Sequence, residues 1–548
     1  MPNKDYNNWT KEQLVDEVAR LRKRKKYGLV WEDKPEDVVE QCKTELPVLK
    51  EVKNKAIAKD KNGPVNILIE GDNYHALSVL NYTHKGKVDV IYIDPPYNTG
   101  NKDFIYNDNF VDAEDPYRHT KWLSFMEKRL VLAKNLLKRK GVIFISIDDN
   151  ENAQLKLLAD DVFSGGFVAT IIWEKKFSPQ NDAKWFSDNH DYLLVYARSK
   201  EDWRPNLLPR TEVANSRYSN ADDDPRGDWT SADMTVKTYS AKYDYPIETP
   251  SGRIVKPTKG RCWAMPKERV NELVKDNRIW FGQSGDNVPR VKIFLSEVKE
   301  GIVPLTIWRH TEAGHNQEAR QELKNILREG LFDNPKPVRL IKKVLQVSSD
   351  KHATVLDFFA GSGTTGHAVL ELNKEDGGNR QFILCTDNQD NNGSGTKVAV
   401  DICYPRVAKV IEGYKDAKGK RVASLGGNLK YFRTAFVGAE PNDKNKEALT
   451  KQATEMLCMR ENTFELVKET SAVKIFKNSK QHTGIVFDED AIPTLKKEIV
   501  KIGGVWSVYI FSLGDDTFED EFEDMKEKIT VAPIPEAILR VYRRLFRP

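Results

Sequence analysis

Val88-Asp-Val-Ile-Tyr-Ile-Asp-Pro-Pro-Tyr97 is the stretch whose reading decides the fold. Its first six residues are rich in β-branched and aromatic side chains and read as a buried strand, whereas two successive prolines can continue neither a ladder nor a helix. The strand therefore stops at Asp94. A carboxylate, a rigid corner carrying backbone carbonyls, and an aromatic ring are presented together at a carboxyl strand end, where open α/β sheets place their ligands.

Working outward, Ile67-Leu-Ile-Glu70 reads as a second buried strand, followed by Gly71-Asp72-Asn73 and a helix carrying Ala76, Leu77 and Leu80. Downstream, Trp122, Phe125, Met126, Leu130, Ala133, Leu136 and Leu137 recur at helical spacing and predict a core-packing helix without chemistry of its own. Val142–Ile147 is again a continuous apolar strand, and strands near Ala169–Trp173 and Tyr192–Ala197 continue the series. The alternation predicts βαβ units, with a parallel sheet covered on both faces.

A second motif lies far along the chain. Thr354-Val-Leu-Asp357 predicts a strand, and Phe358-Phe-Ala-Gly361-Ser362-Gly363-Thr364-Thr365-Gly366 turns into a helix. Gly361, Gly363 and Gly366 satisfy G-x-G-x-x-G in the strand-to-helix context that gives this pattern meaning. Asp387, beyond the strand Phe382–Cys385, stands where ribose hydroxyls are accepted. The pattern points to a nucleoside-bearing cofactor. A dinucleotide's pyrophosphate favours a loop free of anions, but Asp357 precedes this one and suits the ammonium of a methionine moiety, so S-adenosylmethionine fits better. No Gly-Lys-Ser/Thr follows a glycine run, which disfavours a Walker phosphate loop.

Composition sets the bounds. At 548 residues the chain is longer than one core usually organises. Lysine and arginine exceed aspartate and glutamate by only four, so any DNA surface must come from local patches. The cysteines Cys42, Cys262, Cys385, Cys403 and Cys458 are dispersed without a Cys-x-x-Cys pair, and no metal site is expected. With no apolar leader and no stretch of membrane-spanning length, a cytoplasmic protein with no membrane partner is expected.

Asp94-Pro95-Pro96-Tyr97-Asn98-Thr-Gly100 together with Asp357-Phe-Phe-Ala-Gly-Ser-Gly-Thr-Thr365 resembles the DNA amino-methyltransferases, which methylate an exocyclic base nitrogen from S-adenosylmethionine. The order of the two motifs is that of the beta group, whose sheet is circularly permuted. Phe177–Asp191, Asp401–Arg406, Glu461–Glu465 and Ile534–Arg544 further resemble the modification (Mod) subunits of Type III restriction-modification systems. The resemblance covers about residues 64–200 and 330–548. It implies an adenine-N6 methyltransferase in which Asp94 and the Pro95 carbonyl accept the amine hydrogens, the prolines stiffen the corner, and Tyr97 stacks on a base flipped out of duplex DNA. It implies a cofactor site of Asp72, Asn73, Lys336, Pro337, Asp357, Phe359, Gly361, Ser362, Gly363, Thr364, Thr365, Asp387 and Asn388. Lys336 is expected near the methionine carboxylate and Asp72 near the cofactor adenine. Asn98, Asn181, Phe186 and Asp188 are expected near the target base. The implied partners are double-stranded DNA, a second copy of the chain and, unless the chain is a stand-alone relative of such systems, a helicase/nuclease restriction subunit. Cytosine N4 is the runner-up target. Rivals from other classes are a nicotinamide-dependent oxidoreductase and a non-catalytic DNA-binding subunit.

The expected organisation is an N-terminal helix and arm (1–62), a catalytic half (63–200), a target-recognition insert (201–329), a cofactor half (330–435) and a small α+β C-terminal domain (436–548). Thr10-Lys-Glu-Gln13 is a capping-box pattern opening a helix through Leu14, Val18 and Leu21, with a basic end at Arg22–Lys26. Between Arg253 and Lys292 ten basic residues face four acidic ones, with Trp263, Trp280 and Phe281 interleaved. Arg261, Trp263 and Arg269 are thereby candidate DNA contacts. The acidic run Asp515–Glu527 should face solvent or a protein partner rather than DNA.

Overall fold

The structure is a computed structural model and describes residues 9–11, 14–15, 31–60, 63–101, 103–181, 183–210, 212–298, 301–327, 330–388, 395–514 and 516–546. Most of the predicted N-terminal helix and its basic end lies outside them. The chain forms two compact units: residues up to Arg204 with those from Leu305 onward, and Pro205–Pro304.

The larger unit is built on one mixed sheet. Its strands are β1 (Glu45–Glu51), β2 (Val65–Glu70), β3 (Val88–Ile93), β4 (Leu137–Ile147), β5 (Phe167–Glu174), β6 (His190–Ala197), β7 (Ile307–Trp308), β8 (Thr354–Asp357), β9 (Gln381–Thr386) and β10 (Asn428–Gly438). They are ordered β1-β10-β2-β9-β8-β3-β4-β6-β5-β7, and Ile57–Ala58 adds an eleventh strand on β10. Two strands from late in the chain, β8 and β9, thus sit between two early ones, β2 and β3. This is the circularly permuted α/β arrangement that the motif order implies. The parallel β3–β8 pair, registered as Val90 with Val355 and Ile91 with Leu356, sets Asp94 and Asp357 at neighbouring carboxyl ends.

The sheet is parallel across β10, β2, β9, β8, β3 and β4, and again between β5 and β7. Strand β6 runs antiparallel to both β4 and β5, correcting the all-parallel expectation. The physical reason is the connection: among the described residues no helix lies between β5 and β6, and a parallel return needs a crossover. The arm over 31–62 also holds more structure than its charge suggested. Leu46, Val48 and Leu49 are buried as β1 pairs with β10, with Pro47 tolerated at a sheet edge.

Helix α1 (Asn73–Thr83) is buried at nearly every position, and α2 (Arg118–Leu136) buries Trp122, Met126, Leu130 and Ala133 as its spacing predicts. Helices α3 (Val338–Ser348), α4 (Thr364–Asp376) and α5 (Tyr404–Glu412) belong to the cofactor half. At the C-terminus five strands, β11 (Glu465–Glu469), β12 (Val473–Lys477), β13 (Gln481–Val486), β14 (Val505–Phe511) and β15 (Ile529–Ile534), form a second sheet in chain order. Ile475, Leu495, Trp506 and Val508 are part of its core. Helix α6 (Glu536–Phe546) returns to the main sheet, where the Tyr542 hydroxyl donates to Pro47 O at 2.5 Å.

The smaller unit is shorter than the 201–329 expected for the insert. Residues 305–327 leave it because Trp308 is buried in β7, which pairs with β5, and Asn316–Ile326 forms a helix burying Leu323 and Ile326. Pro205–Pro304 holds a three-stranded sheet (Trp229–Asp233, Arg290–Phe294, Ile279–Trp280) and a helix, Lys267–Lys275. Met234, Ile247, Val255, Trp263 and Val270 are among its core residues. Among the described residues, no helix is long and apolar enough to cross a membrane.

Candidate active site

The corner at Asp94 is fixed from several sides. The Trp122 indole N–H on α2 donates to Pro96 O at 2.8 Å. Lys336 Nζ and the Tyr97 hydroxyl both donate to Asp94 Oδ1, at 2.7 and 3.0 Å. Among the described residues, no donor reaches Asp94 Oδ2 or Pro95 O, so the corner presents two open acceptors. Burial raises the Asp94 pKa above the usual carboxylate range, with Lys336 pulling the other way. Burial and the carboxylates of Asp191 and Asp94 hold the Tyr97 phenol well above its usual value, so the hydroxyl keeps its proton.

Sequence reasoning did not assign the next shell of charge. Asp191 on β6 places Oδ2 3.4 Å from the Tyr97 hydroxyl, while Lys175, just past β5, donates to Asp191 Oδ1 and to Asp188 Oδ2, each at 2.8 Å. Asp191 and Lys175 are both buried. Lys336 stands on Asp94 and lies 4.9 Å from the centre of the Tyr97 ring. Lys336 thus pairs with Asp94, whereas the resemblance places it near the methionine carboxylate. Pro337 caps α3 just beyond it.

On the neighbouring strand end, Asp357 accepts from the Phe359 backbone N–H at 3.0 Å and from the Thr365 hydroxyl at 2.5 Å. Burial pushes its carboxyl up to about 7. Gly361 and Gly363 adopt left-handed φ angles of 48° and 77°. A Cβ on Gly361 would stand 3.0 Å from the Phe332 ring, and one on Gly363 3.1 Å from Cys403 Sγ. The backbone there is closely confined, as a loop approaching a ligand requires. Behind it, buried Arg406 donates to Ser362 Oγ at 3.0 Å and to Thr364 Oγ1 at 2.7 Å, bracing the turn into α4.

Across β9 and β2, Asp72 caps α1 by accepting from Tyr74 N at 2.7 Å and keeps a partly open carboxylate. The Asn73 side chain is committed to structure: it accepts from Arg129 Nε at 2.5 Å and donates to Phe358 O at 3.0 Å. Asn388 is likewise tied, donating to Glu70 Oε1 at 2.7 Å, while Asp387 sits at the end of β9. Glu70, which sequence reading passed over, gathers donors from Asn388, Tyr431 (2.8 Å) and Arg433 (3.0 Å). Asp72, the glycine turn and Asp357 thus lie along the carboxyl ends of β2 and β8. The described loop offers no exposed lysine or arginine, so the cradle suits a cationic nucleoside ligand better than a pyrophosphate.

A family model described as DNA methylase matches residues 88–448, spanning both motifs and the insert between them. The chain belongs to the DNA methylase family. Among its relatives, the Mod subunit of the Type III restriction-modification enzyme StyLTI from Salmonella typhimurium is 37% identical over 419 residues, 71% of this chain and 63% of that protein. The EcoPI Mod subunit of Escherichia phage P1 is 33% identical over 66% of this chain and 63% of its own length. The Type II methyltransferase M.KpnI from Klebsiella pneumoniae is 32% identical over 64% of this chain and 89% of its own length. The methylase therefore aligns with a little under two thirds of the length of the two Mod subunits.

Membership in the DNA methylase family gives no support to the nicotinamide reading. The candidate DNA contacts divide sharply. Phe186 is 97% exposed and Trp185 83% exposed on the β5–β6 connection, where Asn181 is also exposed. Asn98, by contrast, is fully buried: its amide donates to Glu151 Oε1 at 2.5 Å and to Arg118 O at 3.3 Å, so it braces the corner from behind. Trp263 is also fully buried, with its indole N–H on Tyr245 O, and is a core residue rather than a stacking platform.

Part of the basic patch is paired with acids outside the window that defined it. Lys292 is buried on Asp222 and Asp224, Arg261 pairs with Asp233 at 3.1 Å, and Arg278 pairs with Glu297 at 2.5 Å. Arg269 is exposed and paired with Glu272 at 2.7 Å.

Proposed function

We propose that this methylase transfers a methyl group from S-adenosylmethionine to the N6 amine of an adenine flipped out of duplex DNA. The observation that carries this reading is the pair of open acceptors, Asp94 Oδ2 and Pro95 O, one strand away from the confined glycine turn. Adenine N6 shares its lone pair with the ring and is a poor nucleophile while planar. Two acceptors fixed by proline geometry hold its two N–H bonds and favour the pyramidal nitrogen that can attack. The Tyr97 ring supplies a stacking surface for the extruded base.

S-adenosylmethionine supplies an electrophilic methyl when bound. Asp357 matches its ammonium, the Gly361–Gly363 backbone admits the ligand closely, and Asp72 and Asp387 are placed for adenosine hydroxyls and amine. Lys336, which pairs with Asp94, would serve the methionine carboxylate. Asp rather than Ser at the head of the corner favours adenine over cytosine N4 by family resemblance. On the likeness to Mod subunits we further assign the chain to a Type III restriction-modification system, acting in the cytoplasm as a homodimer with a restriction subunit as partner. The unit Pro205–Pro304 serves as its sequence reader.

Modified-base sequencing of DNA from cells expressing the chain, alongside binding of S-adenosylhomocysteine and of a nicotinamide dinucleotide to the purified protein, tests this. N6-methyladenine at one recurring motif and selective binding of S-adenosylhomocysteine are expected. N4-methylcytosine would move the target to the runner-up, and no modified base in any DNA would favour a non-catalytic subunit.

A further inference from the structure

Methyl transfer to an amine leaves a proton to be removed, and the groups around Tyr97 form a path for it. We infer that Tyr97 and Asp191 relay this proton away from Asp94, an inference that rests on the methyl-transfer reading above. Three observations support it. The Tyr97 hydroxyl lies within reach of two carboxylates, Asp94 at 3.0 Å and Asp191 at 3.4 Å. Asp191 is buried. Lys175 joins Asp191 to Asp188, whose side chain is 55% exposed, so the chain of contacts ends in solvent. The 3.4 Å contact is long for O–H···O, as catalytic hydrogen bonds often are before ligands close the site.

The proton balance is simple. As the N6 lone pair forms the new N–C bond, the C–S bond breaks with its electrons retained by sulfur, and N6 carries a positive charge. One N6 proton passes to Asp94 Oδ2. The neutral carboxyl turns about its Cβ–Cγ bond and donates its proton to the Tyr97 oxygen while the Tyr97 hydroxyl gives its own to Asp191 Oδ2. Tyr97 is neutral before and after, Asp94 regains its charge, and Asp191 holds the proton until it leaves along Lys175 and Asp188. Tyr97 is a catalytic residue through its contact with the base. Asp191 acts through Tyr97 and is a positioning residue.

The test uses the full-length protein, duplex DNA carrying its own site and labelled S-adenosylmethionine, with single-turnover rates followed across pH. Tyr97→Phe keeps the stacking ring and removes the relay oxygen, so its rate should fall on the order of a hundredfold while S-adenosylhomocysteine binding is kept. Asp191→Asn, which removes the second acceptor of the Tyr97 hydroxyl, should slow transfer similarly while S-adenosylhomocysteine binding is kept. Asp191 is faced by Lys175 and Asp188 from the β5–β6 connection, by Asp94, Tyr92 and Tyr97 from the β3 end, and by Asp148 after β4. Asp191→Glu, which keeps an acceptor, should recover most of the wild-type rate. Undiminished transfer by Tyr97→Phe or by Asp191→Asn overturns the relay alone. No transfer by the wild type overturns both the relay and the function on which it rests.

Discussion

The Asp94 corner and the Pro205–Pro304 unit use charge in opposite ways. At the corner a half-buried carboxylate is only partly satisfied: Asp94 has two donors on one oxygen, and the second oxygen stays open. In the smaller unit Arg261 and Arg278 are paired internally, and a buried Lys292 is shared between Asp222 and Asp224. Burial without full pairing marks a place prepared for a ligand, because an open acceptor in a dry site is costly unless something occupies it. Full pairing marks a scaffold.

Four measurements can break or sharpen this contrast. The largest effect is expected from Trp263→Ala, a fully enclosed indole whose loss should cost about 3–5 kcal/mol in the smaller unit. Protease sensitivity should rise within Pro205–Pro304, while S-adenosylhomocysteine affinity stays as in the wild type. A variant that bound DNA normally and melted normally would contradict the core assignment. Next comes Asp94→Ala, with transfer reduced by at least about 10²–10³-fold and cofactor binding largely spared. Robust labelled-methyl transfer by this variant would remove Asp94 from the chemistry.

A smaller, pH-dependent effect follows from Asp357, whose carboxyl titrates at about 7 because it is buried. Below that pH the group is neutral and must release a proton to face a cationic ligand, so affinity for S-adenosylmethionine should fall about tenfold per pH unit under pH 7 and level off above it. Calorimetry in buffers of different ionisation enthalpy should detect the released proton, and a flat profile would separate Asp357 from the ligand. The smallest effect is expected from Arg269→Ala, an exposed residue paired with Glu272, which should alter stability by no more than about 0.5 kcal/mol. If Arg269 touches phosphate, the salt dependence of DNA binding should weaken by about one unit of slope; if it does not, the slope should stay unchanged.

The same contrast explains what was legible in the sequence. The Asp94 corner and the glycine turn are written in consecutive residues, because two prolines and left-handed glycines fix the backbone locally. Asp191, Lys175, Glu70 and Glu151 were not legible. Each acquires its role from a strand or helix distant in the chain, and an isolated acid at a strand end has many ordinary explanations. The basic count over Arg253–Lys292 was incomplete for a related reason: Asp222, Asp224, Asp233 and Glu297, which pair with Lys292, Arg261 and Arg278, lie outside that window. Strand β1 was missed because Glu45, Lys50 and Glu51 flank its short apolar centre with the charge expected of a connecting arm. Trp263 reads equally as a base-stacking ring or a core residue until its neighbours are placed.

The strand order has a consequence for synthesis. Strand β2 borders β9 and β10, and β3 borders β8, so these early strands keep open edges until the ribosome has passed the smaller unit. The sheet is closed on that side only when Asn428–Gly438 inserts between β1 and β2. Contacts of such long sequence separation form late and slowly. A nascent chain interrupted before Gly438 would therefore carry the Asp94 corner and most of the glycine turn's surroundings yet expose unpaired strand edges, which makes truncated products prone to aggregate rather than to act as partial methylases.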